Sequence, residues 1–121
     1  MPEFDTEIQD GLLIVHQVQE DGRLRLALHG ELDLANAATM EAMLKGALAS
    51  GENVVVDLAK LEFLDSTGIS LLVAALKGPG AERLSFLPSE SPDVARLLFL
   101  TGLDERLGFN RNGKHASRAA A

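Results

Sequence analysis

The chain has 121 residues, 46% of them hydrophobic and 24% charged, with no cysteine and a net charge of −7. This length holds one domain with one hydrophobic core, and the missing cysteines exclude disulfides, thiolate catalysis and zinc–cysteine sites. Residues 1–109 carry 8 basic and 18 acidic side chains, a balance of −10, and such a surface repels nucleic-acid phosphates. We therefore expect no direct nucleic-acid binding.

The chain also carries no sign of membrane insertion or secretion. Its longest apolar runs, such as Ile69–Leu76, are far shorter than the roughly 20 residues of a membrane span. The start Met1–Asp5 lacks the basic and apolar regions of a signal peptide. We expect a cytoplasmic protein without membrane contact.

The first predicted element is an antiparallel hairpin. Leu12–Val18 is strand-like, and Glu20-Asp21-Gly22 supplies the chemistry of a turn. In Arg23–Leu28 apolar residues then alternate with others, which is typical of a strand with one buried face, and Gly30-Glu31-Leu32-Asp33 ends this strand.

A helix and a central strand follow. Asn36 is a plausible N-cap, apolar residues recur at helical spacing from Met40 to Leu48, and Gly51 ends the helix. Asn53–Leu58 is short and β-branched, and its three consecutive valines predict a parallel strand that is buried on both faces. Residues 59–64 are predicted to form a loop.

The last third of the domain repeats this alternation of helices and strands. Asp65-Ser66-Thr67-Gly68 opens a second helix that ends at Gly78, and Arg83–Leu87 forms another strand. Ser91-Pro92-Asp93 starts a third helix, and Leu107–Phe109 is predicted to add a short edge strand. We divide the chain into a domain over 1–109 and a disordered basic tail over 110–121.

This order predicts an α/β fold. A single domain would contain a mixed, mostly parallel sheet, an N-terminal antiparallel hairpin and about three main helices.

The tetrapeptide Asp65-Ser66-Thr67-Gly68 is the strongest candidate for a functional site. It lies where a buried strand meets a helix N-terminus, at which unpaired amides and the helix dipole favour negative charge. A phosphate on Ser66 would be tolerated there, and Asp65 would be a like charge beside it. We expect Gly68 to keep the approach to the hydroxyls open. The tetrapeptide alone indicates a capped helix start before it indicates a switch.

Three separated motifs resemble the STAS domain of bacterial anti-sigma-factor antagonists. They are Gly30-Glu31-Leu32-Asp33, Phe63-Leu64-Asp65-Ser66-Thr67-Gly68, and Ser91–Leu97 together with Thr101-Gly102-Leu103. The resemblance runs in register over about residues 12–109, and implies a STAS-type fold. It also implies a binding module that is not an enzyme and needs no cofactor.

The resemblance further implies a phosphorylation switch. The unphosphorylated antagonist binds a protein that is both anti-sigma factor and serine kinase, phosphorylation of the antagonist ends this binding, and a serine phosphatase restores it. Ser66 matches the phosphoacceptor, and Thr67 is the second candidate. Asp33, Asp65, Ser66, Thr67 and Gly68 are the implied partner-binding residues.

Other functions have weaker support from the sequence. A STAS accessory subunit of a transport system, for example in lipid transport, would need no modification of Ser66. A hydrolase using Ser66 would need a base, but His16 and His29 are distant in sequence and no G-x-S-x-G elbow is present. We expect no metal site, because the histidines lack the close spacing of metal ligands.

Overall fold

A computed structural model describes residues 5–109. These residues form five β-strands and four α-helices, and a 3₁₀ turn at Ala81–Arg83 precedes the last strand. The elements in chain order are β1 Asp5–Asp10, β2 Leu13–Glu20, β3 Arg23–Leu32, α1 Ala37–Ala49, β4 Asn53–Leu64, α2 Ser66–Lys77, β5 Leu84–Leu87, α3 Pro92–Leu100 and α4 Leu103–Arg106.

The strands form one sheet in the order β1-β2-β3-β4-β5. β1 and β2 pair antiparallel, as do β2 and β3, whereas β4 pairs parallel with both β3 and β5. Parallel neighbours need a crossover, which α1 and α2 provide. The predicted mixed α/β sheet is confirmed, including the hairpin whose turn residues Asp21 and Gly22 have left-handed φ angles of 52° and 76°.

The edge strand β1 was not predicted from the sequence. Of its six residues only Ile8 is a large apolar residue, and four of the six are exposed. Because the strand buries neither face fully, it lacks the apolar alternation by which strands are recognised.

The predicted loop over 59–64 is wrong, because β4 continues as a strand to Leu64. Its register against β3 shifts twice, between the pairs Ala27–Asp57 and His29–Lys60 and again between Gly30–Leu61 and Glu31–Phe63. Each time β4 contributes one residue more than β3, which is a β-bulge. The bulges interrupt the alternation of buried and exposed residues, so the sequence pattern does not read as a strand.

The hydrophobic core lies on one face of the sheet. Leu26, Leu28, Val54 and Val56 form a single buried cluster with apolar residues of all four helices. On the opposite face Val55 is only half-buried, and Arg25 pairs with Asp57 at 3.5 Å. The expectation that all three valines of β4 are buried is therefore wrong for Val55.

The end of the domain also differs from the prediction. Leu107–Phe109 forms no strand, because only Phe109 makes an isolated β-bridge after the short helix α4. Leu107 and Phe109 are nevertheless buried in the core. The predicted tail, 110–121, lies outside the described residues.

Gly30 joins the end of β3 to the turn between β1 and β2. Its φ angle is +94°, and a Cβ atom at this position would lie 2.1 Å from the backbone oxygen of Leu12. That oxygen accepts a hydrogen bond from the Glu31 amide at 3.0 Å. No L side chain fits there without movement of the backbone, which explains the glycine in the Gly30–Asp33 motif.

We predict that Gly30→Ala lowers the free energy of unfolding by about 2 kcal/mol or more, because it combines a strained φ with a backbone clash. Gly46→Ala is the matched control, since Gly46 lies inside α1 with open space around it, and should raise stability by about 0.5–1 kcal/mol. Urea unfolding measures both values. Equal effects of the two substitutions would contradict the close approach at Gly30.

Candidate functional site

Ser66 is the first residue of α2, and its side chain is free. Asp65 is the N-cap residue, and its Oδ1 accepts a hydrogen bond of 3.0 Å from the Gly68 amide. Ser66 is exposed, and within residues 5–109 its hydroxyl makes no hydrogen bond. The capping role belongs to Asp65, so the Ser66 hydroxyl is available for chemistry at no structural cost.

The second oxygen of Asp65 connects two loops. Oδ2 accepts a hydrogen bond of 3.1 Å from the Leu34 amide, and the Asp65 amide donates to the Leu32 oxygen at 3.3 Å. The loop after β3 is therefore fixed to the start of α2. This places Asp33, the neighbour of Leu34, at the same end of the sheet as Ser66.

Asn36 precedes α1 at the N-cap position, but its side chain makes no hydrogen bond to the helix. The predicted side-chain cap is therefore wrong. Its side chain is fully buried, and Oδ1 accepts a hydrogen bond of 3.0 Å from the Asp33 amide. Nδ2 donates to the backbone oxygens of Glu31 at 2.9 Å and Asp10 at 3.4 Å. Burial favours these three partners over a helix amide, since an unpaired buried amide group is costly. Asn36 thereby holds the Asp33 loop against β1 and β3.

Gly68 faces the core, which corrects the expectation that it opens the approach to the hydroxyls. It is buried, and a Cβ atom here would lie 2.5 Å from Leu64 Cδ1 and 3.1 Å from Leu32 Cγ. The glycine is required because α2 begins directly against these two leucines. The approach to Ser66 is open because Ser66 itself points to solvent.

Thr67 lies on the α1 side of Ser66. It is half-buried and borders a shallow depression between α1 and α2. Leu34, 76% exposed, stands at the same depression, and the other side chains there are mostly small ones, such as Ala37, Ala38, Ser70 and Ala74. An exposed leucine beside a concave surface of small residues is suited to protein contact.

Leu34 and Phe63 are exposed apolar residues that the sequence did not predict to be site residues, although Phe63 begins the second motif. Phe63 is 46% exposed at the end of β4, where it lines a second depression together with residues of α3. Leu34 could have been noticed as an apolar residue directly after the predicted end of a strand. Phe63 could not, because its exposure follows from the bulge at Glu62.

Four carboxylates at this end of the sheet have no basic partner. Glu31, Asp33, Glu62 and Asp65 form no ion pair within the described part of the chain. Elsewhere acids are often neutralised, for example Glu90 by Lys60 at 3.0 Å. The surface around Ser66 is therefore acidic, except for the positive helix end directly below the hydroxyl.

Between residues 5 and 109, no group of three or more histidine, aspartate or glutamate side chains is placed so that it could hold a metal ion. His16 pairs with Asp5 on the sheet, and His29 is an exposed residue of β3. Over the same residues, no helix has the length and hydrophobicity to cross a bilayer.

We predict that Asp65→Ala lowers the free energy of unfolding by about 1–3 kcal/mol, because the Gly68 and Leu34 amides both lose their acceptor. Asp33→Ala is the control and should cost less than about 1 kcal/mol, since within residues 5–109 its carboxylate accepts a single hydrogen bond, from the Ala35 amide at 3.0 Å. Chemical denaturation measures the two values. Equal losses of unfolding free energy in the two variants would show that the two hydrogen bonds of Asp65 add no stability beyond that of the single bond of Asp33.

The chain is similar in sequence to a family model and to several known proteins. A family model described as "Mlab, STAS domain" matches residues 15–109. The anti-sigma-B factor antagonist of Staphylococcus epidermidis is 28% identical over 100 residues, covering 81% of this chain and 93% of the relative. The anti-sigma-F factor antagonist RsfB of Mycobacterium tuberculosis is 29% identical over 94 residues, covering 77% of each chain.

Solved structures share the fold. An anti-sigma factor antagonist from Mycobacterium paratuberculosis superposes with a TM-score of 0.73 at 24% identity and covers 89% of both chains. SpoIIAA in its unphosphorylated form gives a TM-score of 0.62 at 18% identity, over 88% of this chain and 90% of SpoIIAA. At these identities the likeness concerns the fold alone. The fold and the family match together confirm the resemblance inferred from the motifs, and the chain belongs to the STAS domain family.

Proposed function

We propose that this protein is an anti-sigma-factor antagonist whose binding to an anti-sigma kinase is controlled by phosphorylation of Ser66. The observation that carries the proposal is the free, exposed hydroxyl of Ser66 at the first position of α2. Asp65 already caps the helix, so a phosphoryl group on Ser66 breaks no bond of the fold. The protein can therefore change its charge while it keeps its structure.

In this reaction the protein is the substrate and not the catalyst. The Ser66 oxygen attacks the γ-phosphorus of ATP, the bond from that phosphorus to the bridging oxygen breaks, ADP leaves and the hydroxyl proton is released. The kinase supplies the nucleotide and the catalytic groups. A serine phosphatase reverses the modification by hydrolysis, which returns the hydroxyl and inorganic phosphate. Because these partners act on ATP and on a transcription regulator, we assign the protein to the cytoplasm.

Electrostatics supports binding of the unphosphorylated form to a basic surface. Glu31, Asp33, Glu62 and Asp65 lie at the same end of the sheet as Ser66 and have no basic partners in the described chain. Charges of opposite sign steer a basic partner surface onto this end of the sheet. Leu34 and the depression beside Thr67 add apolar contact.

Phosphorylation adds about −1.5 to −2 charge at the centre of this contact. In the complex that charge would be removed from water beside Asp65, which is a like charge, and the desolvation and repulsion both oppose binding. The positive end of α2 makes the phosphate tolerable in the free protein. The modification thus separates the partners without unfolding the antagonist.

The relatives support the same assignment. Two curated relatives are antagonists of anti-sigma factors, and SpoIIAA, which shares the fold, is known in both an unphosphorylated and a phosphorylated form. Of the implied partner-binding residues, we assign direct contact to Asp33, Ser66 and Thr67. We assign to Asp65 both a structural and an electrostatic role, and to Gly68 a packing role only.

We predict that Ser66→Ala binds the cognate anti-sigma kinase as wild type does, whereas Ser66→Asp binds at least about tenfold more weakly. The alanine variant loses a hydroxyl without a structural partner, and the aspartate variant adds a charge at the contact. Isothermal titration calorimetry with the purified kinase measures both. Equal binding by wild type and Ser66→Asp would overturn the switch.

We further predict that incubation with the kinase and ATP adds one phosphoryl group to the wild-type protein and to Thr67→Ala, but none to Ser66→Ala. Intact-mass spectrometry provides the readout. If Ser66→Ala is phosphorylated and Thr67→Ala is not, the phosphoacceptor is Thr67 and not Ser66.

The alternative of a transport accessory subunit remains a second hypothesis, since the description of the matching family model does not itself name sigma-factor regulation. In that case the site would serve as a scaffold surface and Ser66 would stay unmodified. A neighbouring gene for a kinase-like ATPase and a sigma factor favours the switch, and neighbouring transporter genes favour the alternative.

A further inference from the structure

A second concave surface lies between β4 and α3. It is lined by Glu62, Phe63 and Leu64 of β4 and by Asp93, Val94 and Leu97 of α3. We call it the β4–α3 notch. It shares no lining residue with the depression between α1 and α2, so two separate concave surfaces are lined by residues close to Ser66 in the chain, Phe63 in one and Thr67 in the other.

The shape of the notch depends on the second bulge of β4. The extra residue places Glu62 and Phe63 next to each other in solvent, before Leu64 returns to the core. A regular strand would alternate and would bury one of the two. Phe63 therefore remains 46% exposed, although an exposed phenylalanine contributes nothing to the stability of the monomer. Bulges that redirect a side chain are typical of functional surfaces.

Apolar surface continues from the notch along α3. Leu97 is half-buried in the notch, and Leu100, three residues later on the same side of the helix, is 71% exposed. The rim carries an unpaired negative charge at Glu62, which has no ion pair within residues 5–109, whereas Asp93 is paired with Arg96 at 3.7 Å. The matching ligand is an apolar side chain next to a lysine or arginine.

We propose that the β4–α3 notch is a second contact surface for the anti-sigma kinase, which inserts an apolar side chain beside Phe63 and places a basic side chain against Glu62. This inference rests on the proposed function. It follows from the charge complementarity and from continuity, since Phe63 precedes Ser66 by only three residues. The kinase then contacts Leu34, Ser66 and Phe63.

The first arm of the test compares two identical substitutions. Phe63→Ser should weaken binding of the purified cognate kinase about tenfold or more, as expected for a central aromatic contact. Phe99→Ser is the matched control, because Phe99 is 52% exposed on α3 but does not line the notch, and its affinity should stay within about twofold of wild type. Thermal melting followed by circular dichroism checks that both variants are folded.

The second arm tests the charge at the rim. Glu62→Lys should weaken binding about tenfold or more at low salt, and the difference from wild type should shrink as salt is added. Glu7→Lys makes the same change on the exposed strand β1, where Glu7 has no ion pair within the described residues, and should leave the affinity near the wild-type value.

The outcomes separate this inference from the proposed function. If wild type binds and Ser66→Asp does not, but Phe63→Ser and Glu62→Lys bind like wild type, the notch is not a contact surface and the switch still stands. Equal losses of kinase affinity in Phe63→Ser and Phe99→Ser would also contradict the proposal that the notch is a contact surface. If wild type does not bind the kinase, both the proposed function and this inference are wrong.

Discussion

The arrangement around Ser66 depends on the carboxylate of Asp65. One of its oxygens caps α2 through the Gly68 amide, and the other accepts from the Leu34 amide, so a single side chain fixes two loops relative to each other. Charge-assisted hydrogen bonds of this kind are among the stronger ones in proteins. Because Asp65 accepts both of these hydrogen bonds, the Ser66 hydroxyl at the next position is not needed to hold the helix start. Asp65 caps the helix, so the proposed modification of Ser66 would leave the hydrogen bonds of the cap in place.

A buried hydrogen-bond network holds the loop whose Leu34 amide donates to Asp65. Asn36 connects Asp33, Glu31 and Asp10, so the loop that donates to Asp65 is itself tied to β3 and β1. The hydroxyl of Thr39 adds a hydrogen bond to the Asp10 carboxylate. Satisfied buried networks of this type rigidify a structure. The acidic end of the sheet is therefore a preformed surface, and a partner would not have to order it on binding.

In the proposed function, the charge of this surface favours binding when Ser66 is unmodified and opposes it when Ser66 is phosphorylated. Unpaired carboxylates favour a basic partner, while Leu34 and Phe63 offer apolar contact. The helix end tolerates a phosphate in the free protein, but in a complex the phosphate would be desolvated among like charges. Under the proposed function, this difference between the free protein and the complex would let phosphorylation of one hydroxyl control binding.

The sequence by itself determined the α/β class, the hairpin and the three longer helices, because local alternation, caps and turn residues specify them. It also placed Ser66 at a helix start beside Asp65. Only the tertiary structure decided the course of β4, since its two bulges depend on pairing with β3 and break the pattern that local reading requires. The same holds for the inward position of Gly68, the burial of Asn36 and the exposure of Phe63. Each of these is set by contacts between residues distant in sequence, and no local propensity records them.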